Sequence, residues 1–190
     1  MKKLLLLLLF PLLCFGQTNP NIYIDQAGDG NTFTVTQDYT GNYASIVSGS
    51  QSPADNNVFN ITQQGTGQLN ASIELLSGYS NSISINQQGS GNNSATIQGL
   101  NGAANTISVG QSGAANNSFN LTATAGTLNS GDTISATQYG NAGADKSFNL
   151  TLSGSSGATV TIIQDNPSTA NSGSMTISCI VCGSYSYIRH

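Results

Sequence analysis

The stretch Asn31-Thr32-Phe33-Thr34-Val35-Thr36-Gln37 alternates polar and apolar residues between an asparagine and a glutamine. The same frame returns as Asn57-Val58-Phe59-Asn60-Ile61-Thr62-Gln63, as Asn81-Ser82-Ile83-Ser84-Ile85-Asn86-Gln87 and as Asn105-Thr106-Ile107-Ser108-Val109-Gly110-Gln111. Two later copies, ending at Gln138 and Gln164, open with Asp132 and Ala158. The six glutamines recur at intervals of about 24 to 27 residues, and self-similarity at such a period marks a repeat architecture. Strict alternation is the period of a half-buried strand.

Between these frames lie other alternating segments: Ile22 to Gln26, Ala44 to Ile46, Ala71 to Leu75, Ala95 to Ile97, Phe119 to Leu121, Phe148 to Leu152 and Met175 to Cys179. Together they make thirteen candidate strands from Ile24 to Ile177, with centres about 11 to 15 residues apart, the spacing of short strands joined by turns. Ile, Val and Thr suit that assignment. Glycine and asparagine punctuate the gaps, as at Gly65, Gly89, Gly91 and Gly140-Asn141, where turns need positive φ. The expected fold is all-β: a two-sheet β-solenoid, a stack of β-arcs, of about six and a half coils with about 24 to 27 residues each.

Stacked coils bring equivalent residues to about 4.8 Å. Gln37, Gln63, Gln87, Gln111, Gln138 and Gln164 share the parity of the apolar residues before them, so they are expected to point inward. A buried amide without partners costs about 1–3 kcal/mol, and an in-register ladder removes that cost. Asn31, Asn57, Asn81 and Asn105, followed by Asp132, are expected to form a second column at the strand entrance. The opposite face reads Gln26, Ser48, Leu75, Gly99, Ala123, Leu152 and Cys179 at its matching position. Thirteen half-coils would require a following copy to rotate by about half a turn. That rotation would seat its Gln26 on the glutamine ladder beyond Gln164.

Residues 1–16 read as a signal peptide: Lys2 and Lys3 precede an apolar run, Leu4 to Leu13, too short to span a bilayer. Cleavage is expected before Gln17, with lipidation of Cys14 the competing reading. The mature chain, 17–190, is then secreted to the extracellular space or cell surface and has no transmembrane segment. Of 190 residues only 6% are charged, and the leader's removal leaves Lys146 and Arg189 as the cations against eight acids. Nucleic-acid binding needs many more cations. His190 is the single histidine, so neither a histidine-based metal site nor a Ser-His or Cys-His couple can be assembled. No catalytic, cofactor-binding or metal-ligating residue is assigned. Asp25 to Asn31 lacks the carboxylates and closing glutamate of a calcium loop. Cys179 and Cys182 can close a small disulfide loop or stay reduced.

Gln26, Gly28, Gly30, Asn31 and Gln37 stand at the offsets of a repeat of the curlin family, with Phe33 at the family's alanine position. Gln63, Gly65 and Gly67, and then Gln87, Gly89, Gly91 and Asn92, keep part of that pattern. The chain resembles the subunits of curli, a bacterial extracellular functional amyloid. The resemblance implies a fibre subunit of the biofilm matrix. Its implied partners are further copies of itself, a nucleator subunit and an outer-membrane export pore.

Two other functions fit a regular β-rod. Flat threonine rows such as Thr32/Thr34 and Thr159/Thr161 suit an ice-binding solenoid. Tyr39, Tyr43, Tyr79 and Tyr139 would supply an aromatic surface to an adhesin or a phage-fibre segment.

Overall fold

The computed structural model describes residues 21–38, 43–48, 54–75, 77–124 and 129–190. The signal-peptide reading of residues 1–16 and Tyr39 lie outside them. Each repeat frame forms a strand. In chain order the strands are β1 (Asn21–Gln26), β2 (Thr32–Gln37), β3 (Tyr43–Ser48), β4 (Ala54–Asp55), β5 (Val58–Gln64), β6 (Leu69–Leu75), β7 (Ser77–Tyr79), β8 (Ser82–Gln88) and β9 (Asn93–Gln98). They continue as β10 (Asn101–Ala103), β11 (Thr106–Gly113), β12 (Asn117–Ala123), β13 (Thr133–Gly140), β14 (Lys146–Leu152), β15 (Thr159–Gln164), β16 (Asn171–Ile177) and β17 (Ser184–Arg189).

The long strands sort into two seven-stranded parallel sheets, ordered β1-β3-β6-β9-β12-β14-β16 and β2-β5-β8-β11-β13-β15-β17. Successive long strands alternate between the two, so every coil gives one strand to each sheet. This is the expected two-sheet β-solenoid. A third, three-stranded sheet, β4-β7-β10, lines one corner of the rod and was not foreseen. Registers are strict: Ile83, Ile107 and Ile134 stack in one column, and Gln87, Gln111 and Gln138 in another.

Two details correct the sequence reading. Among the described residues there are fourteen long strands, not thirteen. The additional one is β17, whose alternating Tyr185 and Tyr187 pair with Val160 and Ile162. β16 also sits two residues away from its expected register. Gly173, not Met175, pairs with Phe148, Met175 pairs with Leu150, and Ile177 takes the place expected of Cys179.

The reason for that register is volume. A Cβ on Gly173 would lie 2.6 Å from Tyr187 Cζ and 2.8 Å from Phe148 Cδ2. The missing side chain therefore makes room for two rings whose centroids are 4.9 Å apart. The same compensation runs along the rod. In the early coils the first sheet carries small residues, Ala44 and Ala71, and the second carries the larger Phe59 and Ile61. Later Phe119 and Phe148 occupy the first sheet and the second carries Ala136 and Val160. A core one side-chain layer thick holds native density only if both sheets are matched coil by coil.

The turn into the second sheet is equally regular. Gly30, Asn56, Ser80, Ala104, Gly131 and Gly157 all have φ between 54° and 72°. Each immediately precedes a residue of the asparagine column or its continuation at Asp132 and Ala158. In six of the seven described coils a left-handed residue at this place turns the chain sharply enough to start the next strand.

Candidate functional site

The inward column of glutamines forms a continuous chain of hydrogen bonds. Gln37 Nε2 donates to Gln63 Oε1 at 2.7 Å. Gln63, Gln87, Gln111 and Gln138 each donate to the Oε1 of the next glutamine at 2.8 Å, ending on Gln164. The second hydrogen of each amide crosses to a backbone carbonyl of the first sheet. Gln63 reaches Leu69 O, Gln87 reaches Asn70 O, Gln111 reaches Ser94 O and Gln138 reaches Ser118 O. A glutamine amide has two donor hydrogens and one strongly accepting oxygen, so the ladder satisfies its buried members while tying the sheets together. Gln63, Gln87, Gln111, Gln138 and Gln164 are fully buried.

The asparagine column is built by the same rule. The backbone N and Nδ2 of Asn57 both donate to Asn31 Oδ1, at 2.9 and 3.0 Å. Asn81 donates likewise to Asn57, and Asn105 to Asn81. Asp132 N then donates to Asn105 Oδ1, and Ala158 N to Asp132 Oδ1. The carboxylate of Asp132 also accepts from Ser155 Oγ at 2.5 Å.

Gln26 belongs to the sheet opposite the glutamine ladder. Its backbone lies in β1, paired with Ser48, and its side chain is outside the described residues. The half-turn expected to bring it onto Gln164 of a neighbouring copy rested on thirteen half-coils, whereas the described residues form fourteen long strands.

Two polar features were missed from sequence. Asn93 and Asn117 are buried in the first sheet, and Asn117 Nδ2 donates to Asn93 Oδ1 at 2.9 Å. Both share the inward parity of Ala95 and Phe119, and that parity was the available signal. Next in this column stands Lys146, only 1% exposed. Its Nζ donates to Ala144 O at 2.8 Å, to Asn166 O at 2.9 Å and to Thr169 O. Burial lowers its pKa, with Asp145 and Asp165 opposing that shift. Three carbonyls and two nearby carboxylates compensate a buried ammonium.

The ends of the rod differ from its middle. At the β1/β2 end, Ile22 and Ile24 are exposed and Phe33 and Val35 are half-buried. Gln37 Oε1 is buried there without a hydrogen-bond partner. At the β16/β17 end, Met175, Tyr185 and Tyr187 are partly covered and Ile188 is exposed. Arg189 takes the glutamine position of β17, paired with Gln164, and lies 5.8 Å from the ring of Tyr187. Gln164 Nε2 turns to Ser147 O and Asn171 O. Cys179 and Cys182 form a disulfide across the β16–β17 turn. Tyr79 and Tyr139 are exposed but lie within β7 and β13. The side chain of Tyr43 is outside the described residues.

Among the described residues, no three His, Cys, Asp or Glu side chains gather where a metal could be held, and no helix is long and apolar enough to cross a membrane. No protein-family model, curated protein or solved structure matches the chain.

Proposed function

We propose that this chain is a secreted structural protein of the curlin kind, a subunit that adds to further copies of itself, head to tail, in an extracellular fibre. One observation carries the reading: at both ends the two parallel sheets stop at full-length strands with no covering element among the described residues. β1 and β2 have one sheet neighbour each, as do β16 and β17. Monomeric proteins blunt such edges with charge, proline, bulges or a cap. Here the edge strands carry exposed Ile22, Ile24 and Ile188. A contact between unlike ends does not close on itself, so it yields a filament. The curlin resemblance adds a nucleator and an export pore as partners and a biofilm matrix as the setting.

Incubating the purified mature chain, imaging it and following seeded growth with an amyloid dye tests the proposal. Filaments whose fragments accelerate fresh chain are expected. A chain that stays monomeric at high concentration, seeded or not, refutes it, and thermal hysteresis of that monomer would favour the ice-binding alternative.

A further inference from the structure

A fibre subunit needs a junction between copies, and the junction proposed for this chain rests on the fibre reading. We infer that copies join by straight, in-register continuation of both sheets, with β17 of one copy pairing with β2 of the next and Arg189 supplying the donor that Gln37 lacks.

The strand count sets the geometry. Among the described residues each long sheet contains seven strands, and the first strand, β1, and the last, β17, lie in different sheets. A whole number of coils lets the next β1 follow β16 and the next β2 follow β17 without rotation. Seven spacings of about 4.8 Å give an axial repeat of about 34 Å per copy. A half-turn would instead seat β2 on β16, whose corresponding end is the apolar Ile177.

The ladder sets the chemistry. Its donors all run toward the C-terminal coils, so its acceptor end is at Gln37. Gln37 Oε1 is buried and unpartnered. A buried carbonyl oxygen without a donor is rare in a folded protein and asks for a partner. In straight continuation the residue reaching it is Arg189, which offers donors only and cannot deprotonate. An arginine at this position receives nothing from Gln164 and gives to the next copy. It ends the ladder within one chain and continues it between two.

Charge points the same way. Asp25, Asp29 and Asp38 lie in the first coil, while Arg189 and His190 lie in the last, His190 Nδ1 at 2.7 Å from Asp165 Oδ1. Among the described residues Lys146 is the other cation, and it is buried. The exposed arginine and the acidic coil therefore belong to opposite ends. The same continuation places Tyr185 over Phe33, Tyr187 over Val35 and Met175 over Ile24, apolar on apolar in these three inward columns. A second copy of this chain is the occupant that matches all these positions at once.

The test is seeded elongation of wild-type fragments by full mature chains carrying Arg189→Gln, Arg189→Ala or Arg189→Glu. Arg189 is exposed in the single chain, so all three should keep the far-ultraviolet spectrum and melting midpoint of the wild-type monomer. Glutamine still donates to Gln37 and should elongate within about twofold of wild type. Alanine donates nothing and glutamate only accepts, so both should be slower by about tenfold or more. Alanine and glutamate at wild-type rates, or glutamine as slow as alanine, would overturn the seam while leaving fibre assembly intact. Wild type that never elongates would overturn both. A fibre reconstruction should show one copy per seven strand spacings along the axis, with neighbours related by translation. A half-turn between neighbours would refute straight continuation.

Discussion

Asn81 and Gln87 belong to the same coil, yet they pass their amide hydrogens in opposite directions along the rod. Asn81 Nδ2 donates back to Asn57 Oδ1 at 3.0 Å, whereas Gln87 Nε2 donates forward to Gln111 Oε1 at 2.8 Å. Each column is a line of head-to-tail amide dipoles, and aligned dipoles add. Two antiparallel lines cancel much of the field that either would build. The buried polar content can therefore repeat coil after coil without accumulating charge at the ends. The direction of each column also fixes which end accepts and which donates.

Truncating one rung should expose what the ladder contributes. Gln87→Ala leaves Gln63 without its acceptor and Gln111 Oε1 without its donor, both buried. A loss of about 2–4 kcal/mol is expected from two orphaned groups, read from urea unfolding. Ser90→Ala, at an exposed turn position, should stay within about 0.5 kcal/mol. Assembly should also be slower for Gln87→Ala, and equal losses in the two variants would mean that the amides are not stabilising as a column.

The left-handed column makes a prediction of opposite signs. Ala104 has φ 57°, a conformation that costs an ordinary L-residue about 1–2 kcal/mol. Ala104→Gly should raise stability by about 0.5–1 kcal/mol, the relief being partly offset by the greater freedom of glycine in the unfolded chain. Gly157→Ala, at φ 72° with no atom within 4 Å of the added Cβ, should lower it by about 1 kcal/mol. Melting midpoints that shift in the same direction would show that this bend is not the common element of the coils.

Lys146 should be visible in the alkaline range. Burial sets its folded-state pKa below the usual lysine value of 10.5, so between the two values the unfolded chain binds more protons than the folded one. Stability then rises with pH across that interval. Lys146→Met removes the titrating group and should flatten that limb of the curve. Urea midpoints at pH 8 and pH 10 for both chains measure the difference, and parallel curves would contradict a desolvated ammonium.

Reducing the disulfide should have a modest, local effect. Cys179 and Cys182 are separated by 3 positions in the chain, and a loop that short constrains the unfolded chain by about 2 kcal/mol at most. Dithiothreitol should lower the melting midpoint by a few degrees. Hydrogen exchange should rise in the last coil, with the ladder protected from Gln63 to Gln138. Loss of protection along the whole rod would mean that the last coil nucleates the rest.

What the sequence determined by itself is whatever depends on period. Alternation gave strands, the glutamine spacing gave coils, and parity put the five amides from Gln63 to Gln164 inside and Gln37 half-inside. Each follows from local geometry, because successive strand side chains face opposite ways and equal repeats stack in register. The tertiary structure decided what depends on volume and on partners across the core. Spacing alone could place either Gly173 or Met175 beside Phe148, and only the ring of Tyr187 arriving from the other sheet selects the glycine. Asn93, Asn117 and Lys146 have the look of turn residues until the carbonyls they serve are brought within reach. The directions of the ladders, and with them the orphaned oxygen of Gln37, belong to the same class. A period fixes which atoms are stacked, but which atom donates is set by every other donor and acceptor that the fold has buried beside them.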